Sequence, residues 1–74
     1  MDELKLETPV QGIVWKVLLK VGQKVETGGT VLIVESMKME IPVDSLSSGI
    51  VSELFVSEGD QVEQDSVVAV IDIS

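Results

Sequence analysis

One lysine, Lys38, stands between two methionines at the midpoint of the 74-residue chain, within the run Ser36-Met37-Lys38-Met39-Glu40. Its side chain offers a primary amine, which is a nucleophile only after it has lost its proton. A free lysine has a pKa of about 10.4, so on the order of one in a thousand is neutral at pH 7. The alternative interpretation is an ordinary surface lysine beside two methionines that fill gaps in the core.

The position of Lys38 is informative because the two halves of the chain are copies of each other. A shift of 37 positions places Gly12-Ile13-Val14 on Gly49-Ile50-Val51 without a gap, and it places Gly22 on Gly59. Lys38 lies at the junction between the copies. Two copies of one unit predict a fold with approximate two-fold symmetry.

Composition limits both the architecture and the function. The length predicts a single domain over residues 1–74, and the abundance of Val, Ile and Leu predicts an aliphatic β core. The chain has no cysteine, so neither disulfides nor thiolate metal ligands are available. It also has no histidine, the commonest general base, which makes independent catalysis at neutral pH a poor interpretation and favours a binding or carrier role.

The charge and the N-terminal sequence indicate where the protein acts. A net charge of −8 without a basic cluster argues against nucleic acid and against anionic membranes as partners. The start Met-Asp-Glu-Leu-Lys lacks the features of a signal or transit peptide, and no apolar run is long enough to span a bilayer. We therefore expect a soluble, cytoplasmic protein.

Apolar, β-branched runs separated by polar breaks predict strands rather than helices. The expected strands are Leu4–Glu7, Ile13–Leu19, Lys24–Val25, Val31–Glu35, Met39–Val43, Ile50–Val56, Gln61–Val62 and Val67–Ile73. Gly22 and Gly59 are expected to open equivalent turns, because glycine adopts left-handed backbone angles without steric cost. Pro42 suits an edge strand, where no hydrogen-bond donor is needed.

Two copies of such a meander predict an all-β fold, a flattened barrel or sandwich of two four-stranded antiparallel sheets with a pseudo-two-fold axis. Val14, Val25, Val51 and Val62 should point inward together. Because the Lys38 junction is expected to lie on the pseudo-axis, the two chain ends should meet at the opposite pole. The segment 36–38 must then form a hairpin turn without Gly, Asn, Asp or Pro, and such violations of local rules tend to occur at functional sites.

The placement of Glu35-Ser36-Met37-Lys38-Met39-Glu40 at the centre of a duplicated unit resembles the attachment site of biotinyl/lipoyl carrier domains, of the biotin carboxyl carrier type. The resemblance covers essentially the whole chain and implies the barrel-sandwich hybrid fold. It implies that Lys38 is joined through an amide to biotin by a biotin protein ligase. Met37 and Met39 would be recognition flanks, and Glu35 and Glu40 would help to orient the ligase or another partner.

The resemblance further implies a carrier that is not itself an enzyme. Biotin on Lys38 would accept carboxylate at a biotin carboxylase and deliver it at a carboxyltransferase, with the domain acting as a tether that raises effective concentration. The chain is similar either to a free-standing attachment protein or to a domain of a larger carboxylase. The halves match without insertion, unlike the carriers of bacterial acetyl-CoA carboxylases, which have a protruding segment in the first half.

Two other functions remain open. Lys38 could carry lipoate for a 2-oxo acid dehydrogenase, although lipoyl domains usually present Asp-Lys-Ala in place of Met37-Lys38-Met39. The chain could also be an unmodified β interaction module, which would have no reason to keep a lysine at the tip. A metal site is not expected, because the acidic residues alternate with apolar ones along both halves, as solvent-exposed faces do. The acidic residues considered are Glu26, Glu35, Glu40, Asp44, Glu58, Asp60, Glu63 and Asp72.

Overall fold

A computed structural model describes residues 2–73 of the chain as eight β-strands. The strands are β1 (Glu3–Glu7), β2 (Gly12–Val17), β3 (Lys24–Val25), β4 (Thr30–Ser36), β5 (Met39–Asp44), β6 (Gly49–Leu54), β7 (Gln61–Val62) and β8 (Val67–Asp72). Among these residues no helix is present that is long and apolar enough to cross a membrane.

The strands form two four-stranded antiparallel sheets that repeat one another. One sheet has the order β1-β8-β6-β3 and the other has the order β5-β4-β2-β7. A shift of 37 residues converts β2 into β6, β3 into β7 and β4 into β8, so each sheet receives strands from both halves of the chain. The predicted all-β sandwich with pseudo-two-fold symmetry is confirmed.

The core between the sheets is aliphatic, as the composition predicts. The four valines expected to point inward, Val14, Val25, Val51 and Val62, are all at least 92% buried. They join Leu32 and Ile71, which are completely buried, in one continuous cluster. The two aromatic residues, Trp15 and Phe55, are about half exposed and lie outside this cluster. Dense aliphatic packing therefore holds the two sheets together.

The equivalent turns after β2 and β6 depend on glycine. Gly22 and Gly59 both have a φ of 95°, which is the left-handed region that glycine adopts without strain. The second turn of each half contains another matched pair, Gly28 with a φ of 81° and Asp65 with a φ of 69°. Aspartate tolerates this conformation better than most residues, so both halves keep the same turn with different residues.

Strands β2 and β6 each begin one residue earlier and end two residues earlier than predicted, at Val17 and Leu54. The next residue of each still donates one backbone hydrogen bond across the sheet, Leu18 to Val31 at 2.9 Å and Phe55 to Val68 at 2.9 Å. Both side chains are half exposed. The apolar run in the sequence continues beyond the strand because it also covers the rim of the core.

Two buried hydroxyl groups fix the connections that lead into β2 and β6. Thr8 and Ser45 are 37 residues apart and are completely buried. The Thr8 Oγ1 donates a hydrogen bond to the Val10 carbonyl at 2.7 Å, and the Ser45 Oγ donates one to the Ser47 carbonyl at 2.5 Å. A buried polar group without a partner would be destabilising, so these bonds hold each connection in one conformation.

The residues beside the chain ends, Asp2 and Ile73, lie at the opposite pole from the Lys38 junction, as predicted. The predicted position of the pseudo-axis, through Lys38, is wrong. The Ile73 N–H donates to the Asp2 carbonyl at 3.0 Å, and these residues are the 37-residue counterparts of Ser36 and Met39. The pseudo-axis therefore exchanges the junction with the chain ends instead of passing through the junction. Strand β1 begins beside Asp2 and Ile73 and leads to Val10, which lines the same cleft as Lys38, so the two regions occupy opposite poles.

Candidate functional site

The Lys38 junction is a two-residue β-hairpin turn between β4 and β5. Ser36 pairs with Met39, and the two residues between them both have positive φ, 51° for Met37 and 67° for Lys38. Two consecutive residues with positive φ are typical of a type I′ turn, which normally contains Asn or Gly. A left-handed conformation costs a residue with a Cβ roughly 1–2 kcal/mol. The hairpin is therefore formed against local preference, and the rest of the ladder must stabilise it.

The turn presents its side chains to solvent. Met37 is 93% exposed and Met39 is 63% exposed, so neither methionine fills the core. Lys38 is exposed too, and its amine has no hydrogen-bond or ion-pair partner among residues 2–73. A protruding amine between two exposed thioether chains can be reached by another protein from several directions.

Glu35 and Glu40 lie directly opposite each other on β4 and β5, one residue pair below the turn. Both side chains are exposed. The same arrangement occurs at the opposite pole, where Glu3 on β1 pairs with Asp72 on β8. The like-charge pair is thus a feature of the repeated unit. Any role of Glu35 and Glu40 that is specific to Lys38 therefore has to be tested against the counterpart pair, Glu3 and Asp72.

We expect Glu40→Gln and Glu3→Gln each to raise the free energy of unfolding by roughly 0.2–1 kcal/mol, because like charges directly opposite each other are destabilising. Urea denaturation at low salt should show a higher midpoint with an unchanged slope. The gain should shrink in about 1 M salt, where the Debye length is short. An unchanged midpoint for both variants would show that solvent already screens the pairs.

Two further segments surround the hairpin, and the sequence did not indicate them. Residues 10–13 and residues 61–64 line an open cleft of about 720 Å³ together with residues 35–38. The backbone of β2 passes very close to the Glu35 carbonyl at Gly12, where any Cβ would clash with that oxygen. Gly12 therefore allows β2, at the base of the cleft, to pack closely against β4 of the hairpin. Comparison of each half with its copy could have drawn attention to Gln61 and Gln64, whose counterparts are Lys24 and Thr27, whereas Val62 and Glu63 have identical counterparts.

The predicted site residues are brought together on one surface. Lys38, Met37 and Met39 form the tip, and Glu35 and Glu40 lie just below it. No cluster of three or more His, Cys, Asp or Glu residues suited to a metal ion occurs within the part of the chain that the structure describes. The arrangement is that of a presented nucleophile without a neighbouring general base.

Known proteins are similar to this chain in sequence. The chain matches the family described as "Biotin-requiring enzyme" over residues 5–71. It is 50% identical over 56 residues to the biotin/lipoyl attachment protein of Bacillus subtilis (strain 168), a match that covers 76% of this chain and 77% of that protein. It is 44% identical over 63 residues to the biotin-dependent acyl-coenzyme A carboxylase alpha3 subunit of Mycobacterium leprae (strain TN), covering 85% of this chain and 10% of that protein.

The fold is also shared with a solved structure, the urea carboxylase of Kluyveromyces lactis. The TM-score is 0.92 at 39% sequence identity, and the match covers 97% of this chain but 6% of the carboxylase chain. The chain thus spans about three quarters of the Bacillus protein and a tenth or less of the two carboxylases. On the matched family, the sequence identity and the common fold, the chain belongs to the biotin/lipoyl attachment domain family.

Proposed function

We propose that this protein is a biotin carboxyl carrier whose biotin is attached covalently to the Nζ atom of Lys38. The observation that carries the proposal is the position of Lys38 at the tip of an exposed, sterically unfavourable hairpin between Met37 and Met39. Formation of the amide joins the lysine nitrogen to the biotin carboxyl carbon and removes the lysine charge. The long neutral arm then extends from a rigid sheet.

Attachment requires a biotin protein ligase, because a carboxylic acid must be activated before an amine nitrogen can form an amide with its carbon. The ligase joins a leaving group to the biotin carboxyl carbon. The Lys38 nitrogen then displaces this group as the amide forms, and the proton of the nitrogen passes to the ligase or to solvent. This domain supplies a nucleophile in a fixed orientation. Met37 and Met39 contact the ligase through flexible apolar chains, while Glu35 and Glu40 contribute charge at the edge of that surface.

The biotinyl domain is a carrier and performs no catalytic step. Its arm receives carboxylate at a biotin carboxylase and releases it at a carboxyltransferase. A tether that holds biotin near both active sites raises its effective concentration, which is the physical benefit of covalent attachment. Asp2 and Ile73 lie at the opposite pole from Lys38, so a longer chain that entered or left at that pole would leave the hairpin accessible.

The partners decide which molecule is carboxylated. The similar proteins include an acyl-coenzyme A carboxylase subunit and a urea carboxylase. Domains of this type are therefore found in carboxylases that are named for different substrates. We place the protein in the cytoplasm, where ATP and bicarbonate are available to a biotin carboxylase, and we propose neither nucleic acid nor a membrane as a partner.

A second candidate is a lipoyl carrier with lipoate on Lys38. It is favoured by one observation, that the Bacillus relative is named as an attachment protein for biotin and lipoyl groups alike. An unmodified interaction module is the weaker alternative, because it offers no reason for an unfavourable turn conformation at an exposed lysine.

The carrier function can be measured by carboxyl transfer. Purified biotinyl protein, incubated with a biotin carboxylase, ATP and radiolabelled bicarbonate, should acquire acid-labile label in proportion to its biotin content. The Lys38→Arg variant, carried through the same preparation, should acquire none. Full biotin content without label from any biotin carboxylase would contradict the carboxyl carrier role while leaving the attachment site intact.

A further inference from the structure

The cleft beside the hairpin, formed by residues 10–13, 35–38 and 61–64, differs chemically from the opposite pole. Three glutamines line it, Gln11, Gln61 and Gln64. Their 37-residue counterparts are Ser48, Lys24 and Thr27. The side-chain amides of the three glutamines make no hydrogen bond within residues 2–73. These exposed amide groups lie at the pole that carries Lys38, where they are available to hydrogen-bond a ligand.

The cleft combines apolar contacts with hydrogen-bonding groups of both kinds. Val10, Ile13 and Met37 contribute apolar surface. The glutamine amides offer N–H donors, while Glu35 and Glu63 offer carboxylate acceptors. A cyclic urea fused to a sulfur-containing ring needs one donor for its carbonyl oxygen, acceptors for its two N–H groups and apolar contacts for the second ring.

We propose that this cleft is a resting site for the uncarboxylated biotin head group carried by Lys38 of the same molecule. The inference rests on the proposed function, because it requires biotin on that lysine. Lys38 itself lines the cleft, so the arm begins at the rim of its own binding site. Lys38 is the one lysine among the residues that line the cleft, and the amide removes its charge. The head group therefore meets only neutral and acidic side chains.

Weak contacts are sufficient for such a site because the ligand is tethered. A short flexible link gives an effective concentration in the mM range, so a cleft with an intrinsic Kd of about 1 mM would be occupied roughly half of the time. The resting state stays short-lived at this affinity. The arm consequently remains available to partner enzymes while its apolar ring spends less time in water.

Carboxylation should empty the cleft. It replaces one ureido N–H of biotin by an N-carboxylate, which removes a donor and adds a negative charge. Glu35 and Glu63 line the cleft, so the added charge would lie near two carboxylates of the same sign, and like charges at close range repel each other. The resting site therefore distinguishes the empty arm from the loaded arm and releases the loaded one.

Solution NMR of the isotopically labelled full chain tests the resting site. Comparison of the unmodified with the biotinyl protein should show chemical-shift changes at residues 10–13 and 61–64 as well as at the hairpin, together with nuclear Overhauser effects from the biotin rings to the Ile13 methyl groups. Changes confined to residues 36–40 would overturn the proposal. Addition of a biotin carboxylase, ATP and bicarbonate should return the cleft signals toward those of the unmodified protein, and persistent signals would overturn the release step.

A matched pair of variants separates the cleft from general surface effects. Ile13 and Ile50 are 37 residues apart, lie on equivalent strands and are 38% and 43% exposed. Ile13→Ser should reduce the shift changes at residues 61–64 severalfold, whereas Ile50→Ser should leave them unchanged. Equal effects of the two variants would contradict the proposal.

The mass of each sample keeps the two proposals distinguishable. A preparation without biotin on Lys38 refutes the proposed function, and the cleft then has no ligand to receive. A preparation with one biotin on Lys38 but no shift changes across the cleft refutes the resting site alone.

Discussion

Replacement of Lys38 by arginine is expected to abolish biotinylation completely without changing the fold. Arginine keeps the positive charge and the length, but its guanidinium stays protonated under all physiological conditions and is not an amine nucleophile. The side chain is exposed and forms no hydrogen bond or ion pair with any of residues 2–73, so nothing in the core depends on it. Intact-mass measurement after co-expression with a biotin protein ligase should show no modified protein, and the thermal unfolding midpoint should match that of the parent chain.

Lys24→Arg is the matched control for this variant. Lys24 is exposed, and its ion pair with Glu26, at 3.8 Å, can be kept by arginine. Surface ion pairs of this kind contribute little to stability. The control should be biotinylated to the same extent as the parent protein. If Lys38→Arg still acquired biotin, the assignment of the attachment site would be wrong.

The second large effect is expected from the double variant Met37→Asp/Met39→Ala, which creates the Asp-Lys-Ala triplet of lipoyl domains. Removal of two exposed apolar contacts should lower the kcat/KM of the biotin ligase on the order of tenfold, which corresponds to a combined loss of about 1.4 kcal/mol from the two methionines. Folding should not suffer. Aspartate tolerates positive φ better than methionine does, so the turn at position 37 becomes less unfavourable.

Stability and modification thus move independently in this variant, and both are measurable. Ligase kinetics with purified unmodified protein measure the modification, and urea denaturation measures the stability. Lipoylation measured in parallel shows whether the flanks choose between cofactors. Unchanged ligase kinetics would show that Met37 and Met39 do not contribute to recognition, while a lower unfolding midpoint would point to a structural role that their exposure argues against.

The fold was largely predictable because the duplication reduces it to one short unit. The inward valines and the paired turn glycines recur at a fixed spacing, and the structure places Val14 with Val51 and Gly22 with Gly59 in equivalent environments. The hairpin at residues 36–39 was predictable for a different reason. Two strands had to be joined there by residues that disfavour a tight turn, and the structure shows the positive φ angles that this requires.

Other features of the site depend on contacts between segments that are distant in sequence. The cleft forms because β7 pairs with β2, which brings residues 61–64 beside the hairpin. The alternation of apolar residues within one strand does not predict which other strand it pairs with. The buried hydroxyls of Thr8 and Ser45 were missed because each is satisfied by a carbonyl two residues away, in a connection with no recognisable pattern. The pseudo-axis was misplaced because the chain ends, and not a second hairpin, are the counterpart of the Lys38 turn.

The central claim, covalent biotin on Lys38, is tested most directly by the intact mass of the protein, followed by peptide mapping. The protein should be produced in cells that contain both a biotin ligase and a lipoate ligase and are supplied with both acids. The account predicts a single biotinyl group, located on Lys38. A lipoyl or octanoyl group on that lysine, or a chain that remains unmodified, would contradict it.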